Sequence, residues 1–175
     1  MQTMIDSRPA NALAAAPWRV DSARSSIRFR VPHLWGLTTV TGHFERFEGT
    51  LRADESGDVH FLLAVDAASI ATGNRRRDGH LRSGDFFNLR EYPLVRFTSV
   101  RALVADGRLA GTGWLEAAGR YVAVPFDASV RRREEDVEID VVALVDQRQL
   151  GMTWSPLGAV KAPVAISLDL VVRPL

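Results

Sequence analysis

Val137-Glu138-Ile139-Asp140-Val141-Val142-Ala143-Leu144-Val145 alternates. Val137, Ile139, Val141, Ala143 and Val145 fall on one side, with Glu138 and Asp140 on the other. Successive side chains of an extended chain point to opposite faces, so this spelling belongs to a half-buried strand. The preceding run repeats it with Val122, Val124, Phe126, Ala128 and Val130 on one face. The final run does so with Val164, Ile166, Leu168, Leu170 and Val172. Toward the N-terminus, Ile27, Phe29 and Val31 alternate with Arg28 and Arg30, and Val59, Phe61, Leu63 and Val65 with His60, Leu62 and Ala64. Val95 and Phe97 flank Arg96.

The pattern predicts eight strands, at about 18–31, 42–53, 58–68, 94–105, 108–117, 121–131, 137–148 and 162–173. In the second, Phe47, Gly49 and Leu51 are in phase while Phe44 is not, which predicts a bulge between Gly42 and Phe47. Turn residues separate the runs: Asp54 to Asp58, Asp106-Gly107, Ala118-Gly119, and Arg131 to Asp136, a solvated hairpin tip with opposite charges facing one another. Short connections make the sheet antiparallel. Two stretches depart from strand periodicity, and helical character is expected at about 33–40, after Pro32, and at about 75–90, with Asn74 or Thr72 as the cap. An all-β chain of this kind is a sandwich or a closed barrel, and closure removes the sheet edges that invite aggregation. Eight strands make about the smallest barrel that either fills itself with side chains or holds one small ligand.

The 175 residues fit one domain, over 17–175, preceded by a disordered leader at 1–16. With no Cys, thiolate metal sites, disulfides and a Cys nucleophile are excluded. The formal charge of +1 argues against a surface built for nucleic acid, and the arginines at 131–133 have no interleaved aromatics. Apolar runs stop far short of the roughly 20 residues of a membrane span. Residues 1–16 lack the continuous apolar stretch of a signal peptide, so a cytoplasmic protein is expected.

Of the four His, none has the short spacing of a metal site, and no metal or cofactor is expected. Asp78 and His80 are two apart, a base beside a carboxylate, and could do acid–base work on a small substrate. No Gly-x-Ser-x-Gly elbow accompanies them, and the competing role is to hydrogen-bond an irregular segment onto the barrel. The aromatics outside strands, Trp35 and Phe86-Phe87, either plug the barrel or line the mouth of an apolar cavity.

The run Arg77-Asp78-Gly79-His80-Leu81, followed by Asp85-Phe86-Phe87, Tyr92-Pro93 and Val95-Arg96-Phe97-Thr98-Ser99, resembles the central signature of the YceI-like, polyisoprenoid-binding bacterial proteins. Trp18 to Asp21, Ser25 to Phe29, His33-Leu34-Trp35-Gly36, Val40 to Phe44, and Arg148 to Met152 with Trp154 extend the resemblance over about Trp18 to Val172. It implies a lipocalin-like, eight-stranded antiparallel barrel whose long apolar pore holds an isoprenoid chain, such as a polyprenyl lipid or quinone. It implies no catalytic residues.

On that basis the chain is expected to bind a long apolar lipid as carrier, store or sensor, with homodimerisation left open. The pore wall is assigned to Phe29, Val31, Phe61, Leu63, Phe97, Val124, Phe126, Ile166 and Leu168. Phe86, Phe87, Leu81 and Trp35 would gate the mouth, with Trp154 nearby, and Arg77 or His80 would meet a polar head group. Burial of each CH₂ is worth about 0.8 kcal/mol, so a prenyl chain needs few polar contacts. The alternatives are a small-substrate enzyme using Asp78 and His80, and a barrel filled by its own side chains.

Overall fold

The structure, a computed structural model, describes residues 13, 17–33, 37–153 and 163–175. Its strands are β1 (Trp18–Val20), β2 (Ser26–His33), β3 (Thr38–Phe44), β4 (Phe47–Ala53), β5 (Val59–Asp66), β6 (Ile70–Ala71), β7 (Leu94–Ala105), β8 (Arg108–Ala117), β9 (Arg120–Arg133), β10 (Asp136–Val145) and β11 (Val164–Pro174). One α-helix, α1 (Arg75–Arg82), stands among the described residues. Every pairing is antiparallel. The ladder runs β1-β4-β5-β7-β8-β9-β10-β11 and returns to β1, which closes an eight-stranded barrel.

The first two expected strands are each divided. β1 and β2 run along the same edge of β11: Val20 pairs with Val172, and Ile27 with Leu168. Between them Asp21 caps a 3-10 turn at Ser22–Arg24. In place of the expected bulge between Gly42 and Phe47, the chain breaks at Glu45 and Arg46 into β3 and β4, which take different partners. Here the backbone turns to a second 3-10 turn, Ala67–Ser69: the Glu45 N–H donates to the Ser69 carbonyl at 3.2 Å, and the Arg46 N–H to Ser69 Oγ at 3.1 Å. Beyond that kink β4 stays with β5, whereas β3 leaves the barrel wall and pairs with β6. β2, laddered to β11, continues the wall, β3 and β6 extend from it as a flap at one end of the barrel, and α1 follows directly from β6.

The stretch at 33–40 is not a helix in its described parts. His33 ends β2, Thr38 begins β3, and the two residues pair. β-branched Thr38, Thr39, Val40 and Thr41 favour the extended chain and find partners in β2. Within 75–90 the helix covers Arg75–Arg82, and Asn74 caps it by accepting the Arg77 N–H at 3.0 Å. The hairpin turns use left-handed backbone where expected, with Asp106 and Gly107 both at positive φ, as are Ala118 and Gly119.

Inward faces follow the alternation. On β9, Val122, Val124, Ala128 and Val130 are buried, while Ala123 and Pro125 are exposed. A bulge in β7 between Ser99 and Arg101 shifts its register with β8, and its ladder with β5 ends at Thr98. Ser99 fills the break: its buried Oγ accepts from the Phe61 N–H at 2.8 Å and donates to the Val59 carbonyl at 3.0 Å.

One end of the barrel is closed by side chains. Trp18, Leu51, Val59, Val137 and Val172 are all at most 2% exposed there. Leu13, inside the expected leader, is equally buried, and its carbonyl accepts from Trp18 Nε1 at 3.2 Å. Among the described residues no helix is long and apolar enough to cross a membrane.

At the β9–β10 hairpin, Arg131 pairs with Glu138 and Asp140 at 3.4 and 2.6 Å, and Arg133 with Glu138 at 3.3 Å. Their side chains are more than half exposed on the arginine side. Changing Arg131, Arg132 and Arg133 together to Gln is expected to cost at most about 1 kcal/mol per pair, because exposed ion pairs gain little over hydrated charges. Thermal denaturation checks this, and a large fall in Tm would mean that the tip packs against something.

Candidate functional site

The inward residues do not fill the barrel. They surround a cavity of about 850 Å³ that runs along the axis. Deep in it lie Leu51, Val59, Leu109, Ile139 and Leu170, next to the closed end. Inward positions are unevenly buried toward the other end, where Val65, Val122 and Val145 are buried. On β10, Val137 and Ile139 are fully buried, whereas Val141 and Ala143 are half-buried although they point the same way. The exposed part of those side chains is the cavity wall.

Every described residue assigned to the site from sequence borders this cavity: Phe29, Val31, Phe61, Leu63, Arg77, His80, Leu81, Phe86, Phe87, Phe97, Val124, Phe126, Ile166 and Leu168. Trp35 and Trp154 lie outside the described residues. Two aromatic groups give the wall its shape. Phe97 packs between Phe61 and Phe126, with ring centroids 6.2 and 5.7 Å away. At the mouth, Phe44 packs between Phe29 and Phe87, at 5.8 and 6.1 Å, and so joins the flap to the segment after α1. Phe44, out of phase in the sequence pattern, was not among the assigned residues. Its side chain reaches the cavity because the kink at Glu45 resets the phase of β3 relative to β4.

Glycines let the rings lie close to the strands. A Cβ on Gly42 would collide with the Phe29 ring and come within 2.9 Å of the Ala71 carbonyl oxygen. A Cβ on Gly113 would collide with the Phe97 ring and come within 2.7 Å of the Thr98 carbonyl oxygen. Each glycine is thus the floor on which a wall phenylalanine rests.

Polar groups gather at the mouth. Asp78 is buried, and its Oδ1 accepts from the Thr72 N–H at 3.0 Å and from the Thr72 hydroxyl at 2.5 Å. Arg77 donates from Nε to Thr72 Oγ1 and from Nη2 to the Thr72 carbonyl, both at 2.8 Å. Thr72 is thus clasped by two consecutive helix residues, which fastens α1 to the chain after β6. His80 Nε2 lies 2.9 Å from Asp85 Oδ2, and the ring meets Phe86 edge-on at 5.2 Å. The considered pairing of Asp78 with His80 is replaced by these two separate contacts. Residues two apart on a helix face different ways, so one carboxylate turns to Thr72 while the imidazole turns to the mouth.

Other mouth residues escaped the sequence reading: His33, Asn74, Arg76, Gln147, Arg148 and Thr153 also border the cavity. Arg148 holds Asp146 through two nitrogens, at 2.9 and 2.7 Å, and this hydrogen bonding keeps the Asp146 carboxyl below its ordinary pKa. Arg46 does the same to Asp66 at the root of the flap. A depressed carboxylate pKa contributes stability above the unfolded value that is lost only as pH falls through the folded one, so both pairs remain closed at neutral pH. Among the described residues no three His, Asp or Glu side chains converge as metal ligands do.

A closed antiparallel barrel of eight strands, sealed at one end and apolar inside, defines a protein built around an internal cavity rather than around a packed core. The chain belongs to the YceI-like family, whose domain model matches residues 18–172. Protein YceI of Escherichia coli O157:H7 is 30% identical over 131 residues, covering 73% of this chain and 68% of the relative. A UPF0312 protein of Vibrio campbellii is 34% identical over 119 residues, covering 65% of this chain and 62% of the relative. Among solved structures, BcnA of Burkholderia cenocepacia superposes with a TM-score of 0.78 at 20% identity, covering 87% of this chain and 98% of that one. A polyisoprenoid binding domain from Saccharophagus degradans superposes with a TM-score of 0.74 at 16% identity, covering 90% and 98%. These likenesses bear on the fold.

Proposed function

We propose that the protein binds one long apolar chain of the isoprenoid class in the barrel and carries or stores it without changing it covalently. The observation that carries this reading is the cavity itself. Its 850 Å³ lies within the roughly 300–1,000 Å³ usual for ligand sites. Its deep part is bordered by aliphatic side chains such as Leu51, Val59, Ile139 and Leu170. A polar guest placed there would lose its hydrogen bonds to water with nothing in return, whereas each buried CH₂ contributes about 0.8 kcal/mol. The polyisoprenoid-binding character of a structural neighbour supports the same class of guest.

The test is mass spectrometry of an organic extract of protein purified without detergent. A prenyl lipid or quinone in roughly stoichiometric amount is expected. An empty extract, together with no change of Trp fluorescence on titration with prenyl alcohols, would overturn the reading.

A further inference from the structure

The two ends of the barrel differ in charge. At the closed end the hairpin turns carry Asp54, Glu55, Asp58, Asp106, Glu134 and Glu135, with Arg108 and Arg131 to Arg133 at the adjoining strand ends. At the mouth, the connection from β6 to β7 carries five arginines against Asp78, Asp85 and Glu91. Asp78 is buried against Thr72, and Asp85 is held by His80. Facing outward there are Arg75, Arg76 and Arg90 against Asp85 and Glu91, all exposed, while Arg77 and Arg82 hydrogen-bond to the uncharged Thr72 and Ile70, so the stretch keeps a positive excess. Arg75 and Arg76 occupy the first turn of α1, where the peptide dipoles already present positive charge. Two cations there work against the helix, so its own stability gives no reason for them. Arg76 also borders the cavity mouth. At the same end, the β2–β3 hairpin presents Leu37 with 83% of its surface exposed.

We propose that the mouth end docks onto an anionic lipid surface, with Arg75 and Arg76 on the phospholipid head groups and Leu37 entering the interface. The proposal rests on the reading that the cavity takes an apolar chain. It supplies what that reading requires, because such a chain resides in a bilayer and crosses water poorly. The far end, where acidic turns offset Arg108 and Arg131 to Arg133, is attracted less to the same surface, so the charge distribution favours the barrel with its opening toward the source of the guest. An exposed leucine at the same end as exposed arginines is a feature of peripheral attachment, where shallow apolar insertion adds to electrostatic attraction.

Co-sedimentation with phosphatidylcholine vesicles, with and without phosphatidylglycerol, tests this on the full chain. Binding is expected only with phosphatidylglycerol and should weaken with salt. Arg75→Gln with Arg76→Gln should lower the partition coefficient about 30-fold, from the usual contribution of a cation near an anionic leaflet. Arg132→Gln with Arg133→Gln, at the far end, removes the same charge and should leave binding unchanged. The docking proposal is overturned if the mouth variant binds as the parent does, if the far-end variant loses as much, or if plain phosphatidylcholine binds equally. Loading of dansyl-labelled farnesol and of farnesyl phosphate in vesicle-free buffer separates the remaining readings. Failure of both to load the parent overturns the cavity reading while vesicle binding is judged by itself. Selective loss of farnesyl phosphate in the mouth variant, with vesicle binding intact, would assign the arginines to the guest's own head group and overturn docking.

Discussion

Gly113→Val is expected to destabilise the barrel by about 3 kcal/mol, the upper end of what overpacking usually costs. The added Cβ would meet the Phe97 ring on one side and the Thr98 carbonyl oxygen on the other, the latter at 2.7 Å. The ring is flanked by Phe61 and Phe126, so any shift of it disturbs that aromatic group. The carbonyl belongs to the β7–β8 ladder and cannot withdraw without breaking it. For a domain of this size that loss lowers Tm by about 10 °C. Gly79→Ala supplies the contrast. Gly79 lies within α1 with open space where its Cβ would stand. There the alanine should stabilise, by up to about 1 kcal/mol, through its better helix propensity. Equal effects at the two sites would show that backbone freedom, not ring contact, decides the role of Gly113.

Val124→Phe, alone and with Phe126→Trp, should separate guest binding from folding. Both side chains border the cavity on β9. In a close-packed interior such enlargement costs about 1–3 kcal/mol per site. Here the new atoms enter the bore, so the loss of stability should stay below about 1 kcal/mol for the single change. Uptake should suffer more. A phenyl ring that displaces two methylenes of the guest removes about 1.6 kcal/mol, or roughly tenfold in affinity. Titration with a prenyl alcohol and thermal denaturation read the two quantities independently. Severe destabilisation with normal uptake would mean that this wall is packed shut.

The strands of this barrel were readable because period-2 alternation is a local property. Val122 to Val130 and Val137 to Val145 spell out which face turns inward, and burial follows that spelling. The division of the first two strands was only half readable. Phe44 betrayed a change of phase, but the agent of that change, Ser69, lies more than twenty residues away and is silent in any window. The described residues of the stretch expected to be helical near 33–40 are strand for a related reason: Pro32 suggested a break, yet β2 and β3 had partners in one another. Asp78 was noticed as chemistry, although its role depends on Thr72, an ordinary residue made important by the fold. The cavity was the least readable feature. Phe126 or Ile166 can equally fill a core or border a space, and the difference rests on the radius and closure of the whole barrel.

The seal at one end gives the bore a defined depth. Trp18, with its indole hydrogen-bonded to Leu13, and the side chains layered beside it form a floor. A sleeve with a floor measures what is put into it. On the proposed reading a guest enters tail first and leaves by the way it came, so its two ends are not equivalent. Each added isoprene unit gains contact until the tail reaches the floor, after which further units remain outside in water. Affinity plotted against chain length should therefore climb and then level off, and the position of the break would be a ruler reading of the distance from the mouth to Trp18.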